Sequence, residues 1–325
     1  MVLKKKKKKN TKRVKYISGK KIIQIRPEEL NVKSNILKDL LVQSVNEKAW
    51  PGCVLLGVKD GKIFFEESAG YHTYEKKREM RTSDIFDIAS ITKSVVTTSA
   101  IMKLYDQGLL KLDNPAVRYI PTFKGSNKKY QYDKSKITIK HLLTHSSGLP
   151  AFKQYHLIEG NIEARLDSIY NTGLVASPGD TIIYSDIGMI VLGKIIESIS
   201  GFPLDNYIDS LIFSPLGMKT TYYNPPATKM HRVVPTEIDK KGKLIKGVVH
   251  DENARSLYWI AGHAGLFSTS NDIAKMSKMF LDNGVLYGRR LLKSKIINDF
   301  SKRQNDNYDR AIGWDTPSRN GKSSA

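Results

Sequence analysis

The sequence predicts a mixed α/β fold, and three observations carry that expectation. Two short apolar runs, Cys53 to Val58 and Lys62 to Phe65, flank Asp60-Gly61, the strongest hairpin signal in the chain. Two apolar stretches with mostly helical spacing follow, one opening near Ser90 and the other near Ile187. A short strand from Gly265 to Ser268 then precedes a helix capped by Ser270, with Ile273, Met276, Met279 and Phe280 inside and Asn283-Gly284 closing it. A chain of 325 residues with 40% hydrophobic content suffices for one large domain or two lobes sharing a core.

Residues 1–27 hold twelve Lys/Arg and no acid, so more than half of the net charge of +21 sits in that stretch. MVLKKKKKKNTKRVKYISGKK has no apolar run of signal-peptide or membrane-spanning length. It reads as a solvated, disordered basic tail that touches anionic surfaces weakly, not as a specific nucleic-acid site. The missing signal peptide fits a cytoplasmic protein if Met1 is the true start. Cys53 stands alone, which rules out an intrachain disulfide.

A single domain is expected over residues 28–325. Leu37, Leu40, Leu41 and Val45 form a stripe on a first helix that ends before Pro51-Gly52. The hairpin comes next, and residues 71–83 are a polar surface connection. DIFDIASITKSVVTTSAIMKLYDQG, from Asp84 to Gly108, then predicts a buried helix of roughly 17 residues stopped by Gly108.

Ser90 and Lys93 fall three positions apart at its first turn and share a face. Free backbone N–H groups and the helix dipole favour negative charge developing there. A serine hydroxyl attacks only when a neighbouring base takes its proton, and a lysine is that base only where burial disfavours its charge. S-x-x-K occurs three times, at Ser18/Lys21, Ser90/Lys93 and Ser126/Lys129, but only the middle copy opens an apolar helix. Taken alone, the pair reads first as a helix cap and a solvated first-turn lysine.

GSNKKYQYDKSK is expected as a polar loop and ITIKHLLTHSSGLP as a two-turn helix. His141 and His145 have the spacing of a zinc-binding helix, but Leu142 stands where H-E-x-x-H needs its Glu, so they are expected to be structural and no metal is assigned. Tyr184 ends a short apolar run at a strand-to-helix junction, and a second buried helix follows to Gly201. A further helix lies between Phe202 and Met218, and one more near Leu292 to Arg303. His250, Asp251 and His263 cluster in an irregular stretch and are candidates to line a substrate cleft.

In this order and spacing, IASITKSVVTT, ITIKHLLTHSSGLP, SPGDTIIYSDIGMIVLGKIIE, SPLGMKTT and AGLFSTSNDIAKM make the chain resemble the serine β-lactamase and penicillin-binding-protein family. The resemblance is to the branch with class C β-lactamases, D-aminopeptidases and esterases. It implies a β-lactamase/transpeptidase-like fold: a sheet lobe made from both chain ends, a helical lobe inserted between, and the cleft at their interface. It also implies that Ser90 is the acylated nucleophile and Lys93 its partner, and that Tyr184 matches the tyrosine of Y-x-N. Lys93 and Tyr184 would share the Ser90 proton, and the Ser90 N–H would form half of an oxyanion hole. No cofactor is implied.

Two departures from the family pattern are visible. Asp186 replaces the Asn of class C enzymes, and a carboxylate beside Lys93 favours the ammonium, which makes antibiotic hydrolysis a poorer fit. Asp186 is instead assigned to substrate binding, with His250, Asp251 and His263. No K-T-G or H-T-G follows Gly284, so the C-terminal strands of the family are expected to be missing and the chain as it stands to be a poor enzyme. VHDENA with AGHAGLFST resembles exo-acting N-acetylmuramoyl-L-alanine amidases, which implies a muropeptide substrate. A broad esterase or β-lactamase is the alternative within enzymes, and a non-catalytic ligand-binding homologue the alternative outside them. Oligomeric state is not legible.

Overall fold

The computed structural model describes residues 22–30, 32–304 and 309–318. The lysine run lies outside the described residues. In chain order, α1 is Ser34–Asn46, β1 Gly52–Lys59, β2 Lys62–Gly70 and β3 Phe86–Asp87. A π-helical stretch, Lys93–Thr98, leads directly into α2, Ser99–Asp106. Next come α3 Lys128–Lys136, α4 Ile139–Leu143, α5 Ile162–Tyr170, α6 Asp186–Ser200, α7 Leu204–Ile208 and α8 Ser214–Leu216. The remainder is β4 Glu237–Ile238, β5 Leu244–Ile245, α9 Glu252–Ser256, β6 Phe267–Ser268, α10 Ser270–Leu281, β7 Val285–Leu286, β8 Arg289–Arg290 and α11 Ser294–Ser301.

β1 and β2 form the expected antiparallel hairpin, with a register shift between Gly57 and Val58. Its turn residues Asp60 and Gly61 have φ of 50° and 69°, the left-handed pair that the tightest hairpins require. α1 lies against β2, and α10 against β1. The stripe on α1 is shallower than its spacing suggests, since Leu41 is buried but Leu40 is exposed.

One large core joins most of the remaining helices. Val95, Val96, Ala100, Ile101 and Leu104 meet Ile187, Ile190, Val191 and Ile195 of α6 inside it. α6 begins with Ser185, whose hydroxyl accepts the Gly188 N–H, and ends at Gly201 in the left-handed conformation. β3 pairs antiparallel with β6, Phe86 opposite Ser268 and Asp87 opposite Phe267. That short ladder places the chain before Ser90 beside the chain after His263.

Three local expectations change. Residues 128–136 are the helix α3 rather than a loop, with the Asn127 side chain accepting the Lys129 N–H. Thr269, not Ser270, caps α10, accepting the Asp272 N–H. Tyr184 enters α6 from irregular backbone rather than from a strand.

Candidate active site

The site is assembled around the first turn of the π-helical stretch. Ala89 has φ of 45°, an uncommon conformation for a residue with a side chain, and the Asp87 carboxylate accepts its N–H at 2.9 Å. This bend turns Ser90 out to solvent at the end of the helix while Lys93 points back into the protein, 4% exposed. π-helical turns concentrate at functional sites, and here the widened turn is the one that carries Lys93.

Three groups hold the Lys93 ammonium. Its Nζ donates to Ser90 Oγ at 2.8 Å and to the His263 carbonyl at 2.9 Å, and it pairs with Asp186 Oδ1 at 2.7 Å. Tyr184 completes the cluster: its ring lies 5.0 Å from Lys93 Nζ, and the residue is 44% exposed. Ser90, Lys93, Tyr184 and Asp186 are therefore brought together, as the family resemblance implies. Asp186 is directed at Lys93 rather than outward to a ligand.

Tyr184 is fixed by the loop after α4. Ile183 N–H donates to the His145 carbonyl at 2.8 Å, Ser185 N–H to His145 Nδ1 at 3.0 Å, and Asp186 N–H to the Ala151 carbonyl at 2.9 Å. The His145 ring sits 4.6 Å from the Tyr184 ring. Burial, reinforced by the charges of Arg310 and Lys93, lowers the His145 imidazole to about 3, so it is neutral at physiological pH. His141 closes a capping box with Thr138. Both histidines are thus structural, and no group of three His, Cys, Asp or Glu suited to a metal occurs among the described residues.

The other three candidates divide. His263 is buried, and its Nε2 lies 2.8 Å from Asp251 Oδ1 behind Lys93. Burial would raise the Asp251 carboxyl, but the hydrogen bond and charge of His263, the Ala254 N–H and Lys93 outweigh it and hold it at about 2. Asp251 and His263 bind each other and do not line the cleft. His250 is exposed and pairs with Glu237 on the surface. Its backbone N–H donates to Asp87 Oδ2, so this residue ties down a loop while its side chain turns away.

The cleft in front of Ser90 and Tyr184, about 120 Å³, has a far wall that sequence reasoning missed. Arg310, Gly313, Trp314 and Asp315 form it. Arg310 Cζ lies 5.5 Å from the Tyr184 ring centroid, and the guanidinium pairs with exposed Asp315 at 3.0 Å. Behind the site, the chain at Gly262 touches α6: a Cβ there would stand 2.2 Å from the Met189 carbonyl oxygen and 2.9 Å from Thr97 Oγ1. The arrangement offers an exposed hydroxyl, a buried cation in hydrogen-bond contact with it, and a phenol alongside, which is equipment for acyl transfer through a covalent intermediate.

Comparison with known proteins agrees with that chemistry. The family model described as Beta-lactamase matches residues 37–317. A protein of Salmonella agona (strain SL483), provisionally named a D-alanyl-D-alanine carboxypeptidase, is 31% identical over 319 residues, covering 89% of this chain and 74% of that protein. The octameric penicillin-binding protein homologue from Pyrococcus abyssi superposes with a TM-score of 0.68 at 28% identity, covering 83% of this chain. This chain spans 60% of that homologue's length. A class C beta lactamase from Rhodobacter sphaeroides shares the fold with a TM-score of 0.70 at 20% identity, covering 90% of this chain and 80% of that one.

Proposed function

Because the chain belongs to the beta-lactamase family and is one of its serine hydrolases, we propose that Ser90 is the residue it acylates and that the acyl donor is an amide of a cell-wall muropeptide. The observation that carries this reading is the 2.8 Å contact between an exposed Ser90 Oγ and a buried Lys93 Nζ. Ser90 Oγ bonds to the acyl carbon while its proton passes to the Lys93/Tyr184 pair and then to the leaving amine. Water hydrolyses the acyl-enzyme in a second step. The Ser90 N–H, at the start of the helix, supports the oxyanion.

Peptide rather than antibiotic chemistry is favoured by Asp186. At 2.7 Å from Lys93, its carboxylate cancels the cation that would otherwise attract the ring carboxylate of a β-lactam. The D-alanyl-D-alanine carboxypeptidase name of the Salmonella relative supports a peptide amide as the bond cleaved.

A fluorophosphonate probe should label the protein, and Ser90→Ala should abolish labelling. Purified muropeptides should lose one amide bond, read as a mass change, with the parent protein and not with the variant. Labelling that survives in Ser90→Ala removes Ser90 as nucleophile, whereas labelling without muropeptide turnover removes only the substrate.

A further inference from the structure

Tyr184 sits between two cations on different elements, and their charges are not equally available to it. Lys93 Nζ lies 5.0 Å from the ring and Arg310 Cζ 5.5 Å. Lys93 is already neutralised by Asp186 at 2.7 Å, in a pair whose side chains are 5% and 25% exposed. Arg310 is 15% exposed, but its partner Asp315 is 58% exposed, and a solvated carboxylate screens its partner poorly inside the cleft. His145, the third group against the ring, is held neutral and adds no charge. Among the described residues, Arg310 is the cation facing Tyr184 whose carboxylate partner is solvated rather than buried.

Arg310 is also held in place. It begins a tight turn in which Ala311 N–H donates to the Trp314 carbonyl at 3.0 Å. Gly313 N–H donates to the Leu143 carbonyl at 3.1 Å, and Ser94 Oγ donates to the Gly313 carbonyl at 3.3 Å. Gly313 has φ of 78°, and a Cβ there would stand 2.3 Å from Thr98 Oγ1. The Trp314 ring packs edge-on against Phe280 at 5.1 Å. A turn anchored to α4, to the Ser90 helix and to α10 delivers the guanidinium to one place, which a flexible surface arginine does not do.

We infer that Arg310 is a positioning residue for the acyl-transfer step: its guanidinium fixes the Tyr184 ring and favours negative charge on the phenol oxygen. This rests on the reading of Tyr184 as proton carrier. The phenolate oxygen takes the Ser90 proton as Oγ bonds to the acyl carbon, and the phenol returns that proton to the departing amine or alkoxide. A cation beside the ring stabilises the form that accepts the proton, and one held on an anchored turn also restricts where the ring can swing. Arg310 touches neither the nucleophile nor the acyl carbon, so its effect is transmitted through Tyr184.

The test uses a neutral p-nitrophenyl ester, which has no anionic group for an arginine to bind. Arg310→Gln should slow acylation of this ester about tenfold to a hundredfold, with little change in KM, and should move the acid limb of the rate profile to higher pH. Arg310→Lys should recover part of the rate, because it keeps the charge and loses the plane. Should Arg310→Gln fold poorly, Asp315→Asn probes the same idea from the exposed side: removing the counter-charge should raise the ester rate. An unchanged ester rate in Arg310→Gln overturns the inference, as does an unchanged or lower rate in Asp315→Asn. A slow Tyr184→Phe beside a fast Arg310→Gln would defeat this inference alone, and a fast Tyr184→Phe would defeat the reading beneath it.

Discussion

Lys93 and Lys134 are both buried, at 4% and 1% exposure, yet they serve different ends. Lys93 has a hydroxyl, a carboxylate and a carbonyl around its ammonium, and the hydroxyl faces an open cleft. Lys134, on α3, has the Tyr170 carbonyl and the face of Phe123 at 5.0 Å, with no carboxylate paired to it among the described residues. Burial first, and the charge of Lys153 second, lower its ammonium to about 8. A buried lysine is therefore no sign of chemistry in itself. What distinguishes Lys93 is that its shell includes a group which substrate can reach.

The sharpest way to break the contrast is to remove each lysine in turn. Lys93→Ala should slow acylation by a factor on the order of 10² to 10⁴, measured as the rate of fluorophosphonate labelling, while Lys134→Ala should leave labelling of the folded protein alone. Equal rates for parent and Lys93→Ala would erase the distinction.

The second test concerns stability and pH. A base lowered to about 8 from an unfolded value of 10.5 penalises the folded state below pH 8 and releases that penalty as pH rises toward 10.5. The parent should gain stability across that window. Lys134→Met keeps the length and has nothing to titrate, so its advantage over the parent should shrink by about 3 kcal/mol between pH 7 and pH 10.5. Chemical denaturation at the two pH values checks this, and parallel stability curves would mean that Lys134 carries no such penalty.

The smallest effect is expected at Asp186. Asp186→Asn removes the carboxylate that neutralises Lys93, so hydrolysis of a chromogenic cephalosporin should rise relative to muropeptide, roughly tenfold in the ratio. A ratio that stays put would show that the charge of Asp186 does not select substrate.

Much of this could be read from the chain because the signals are local. Asp60-Gly61, Ser185 with Gly188, and Gly201 specify a turn, a cap and a stop within a few residues each. Ser90 and Lys93 lie one turn apart, and Tyr184 and Asp186 flank a single residue, so both pairs survive as strings. α3 was hidden because Lys128–Lys136 has no apolar stripe, and its one buried member is a lysine. His250 was misplaced by its nearness to Asp251, since neighbours along non-helical backbone point to opposite sides. Arg310 carried no signal of its own. Only the G-W-D turn around Gly313, a glycine held at positive φ, marked the place where the chain returns to Ser90.

Gly262 has a consequence for how this protein tolerates change. It stands where the backbone leading to His263 meets α6, and those two segments supply the carbonyl and the carboxylate that grip Lys93. Any side chain at position 262 wedges them apart and loosens two of the three contacts at once, without altering a reacting group. In a mutational scan this residue, which contributes no functional atom beyond its backbone, should accept a narrower alphabet than Asp251 or His250. The spacing it protects matters to the site as the nucleophile does, although it leaves no reactive group by which to recognise it.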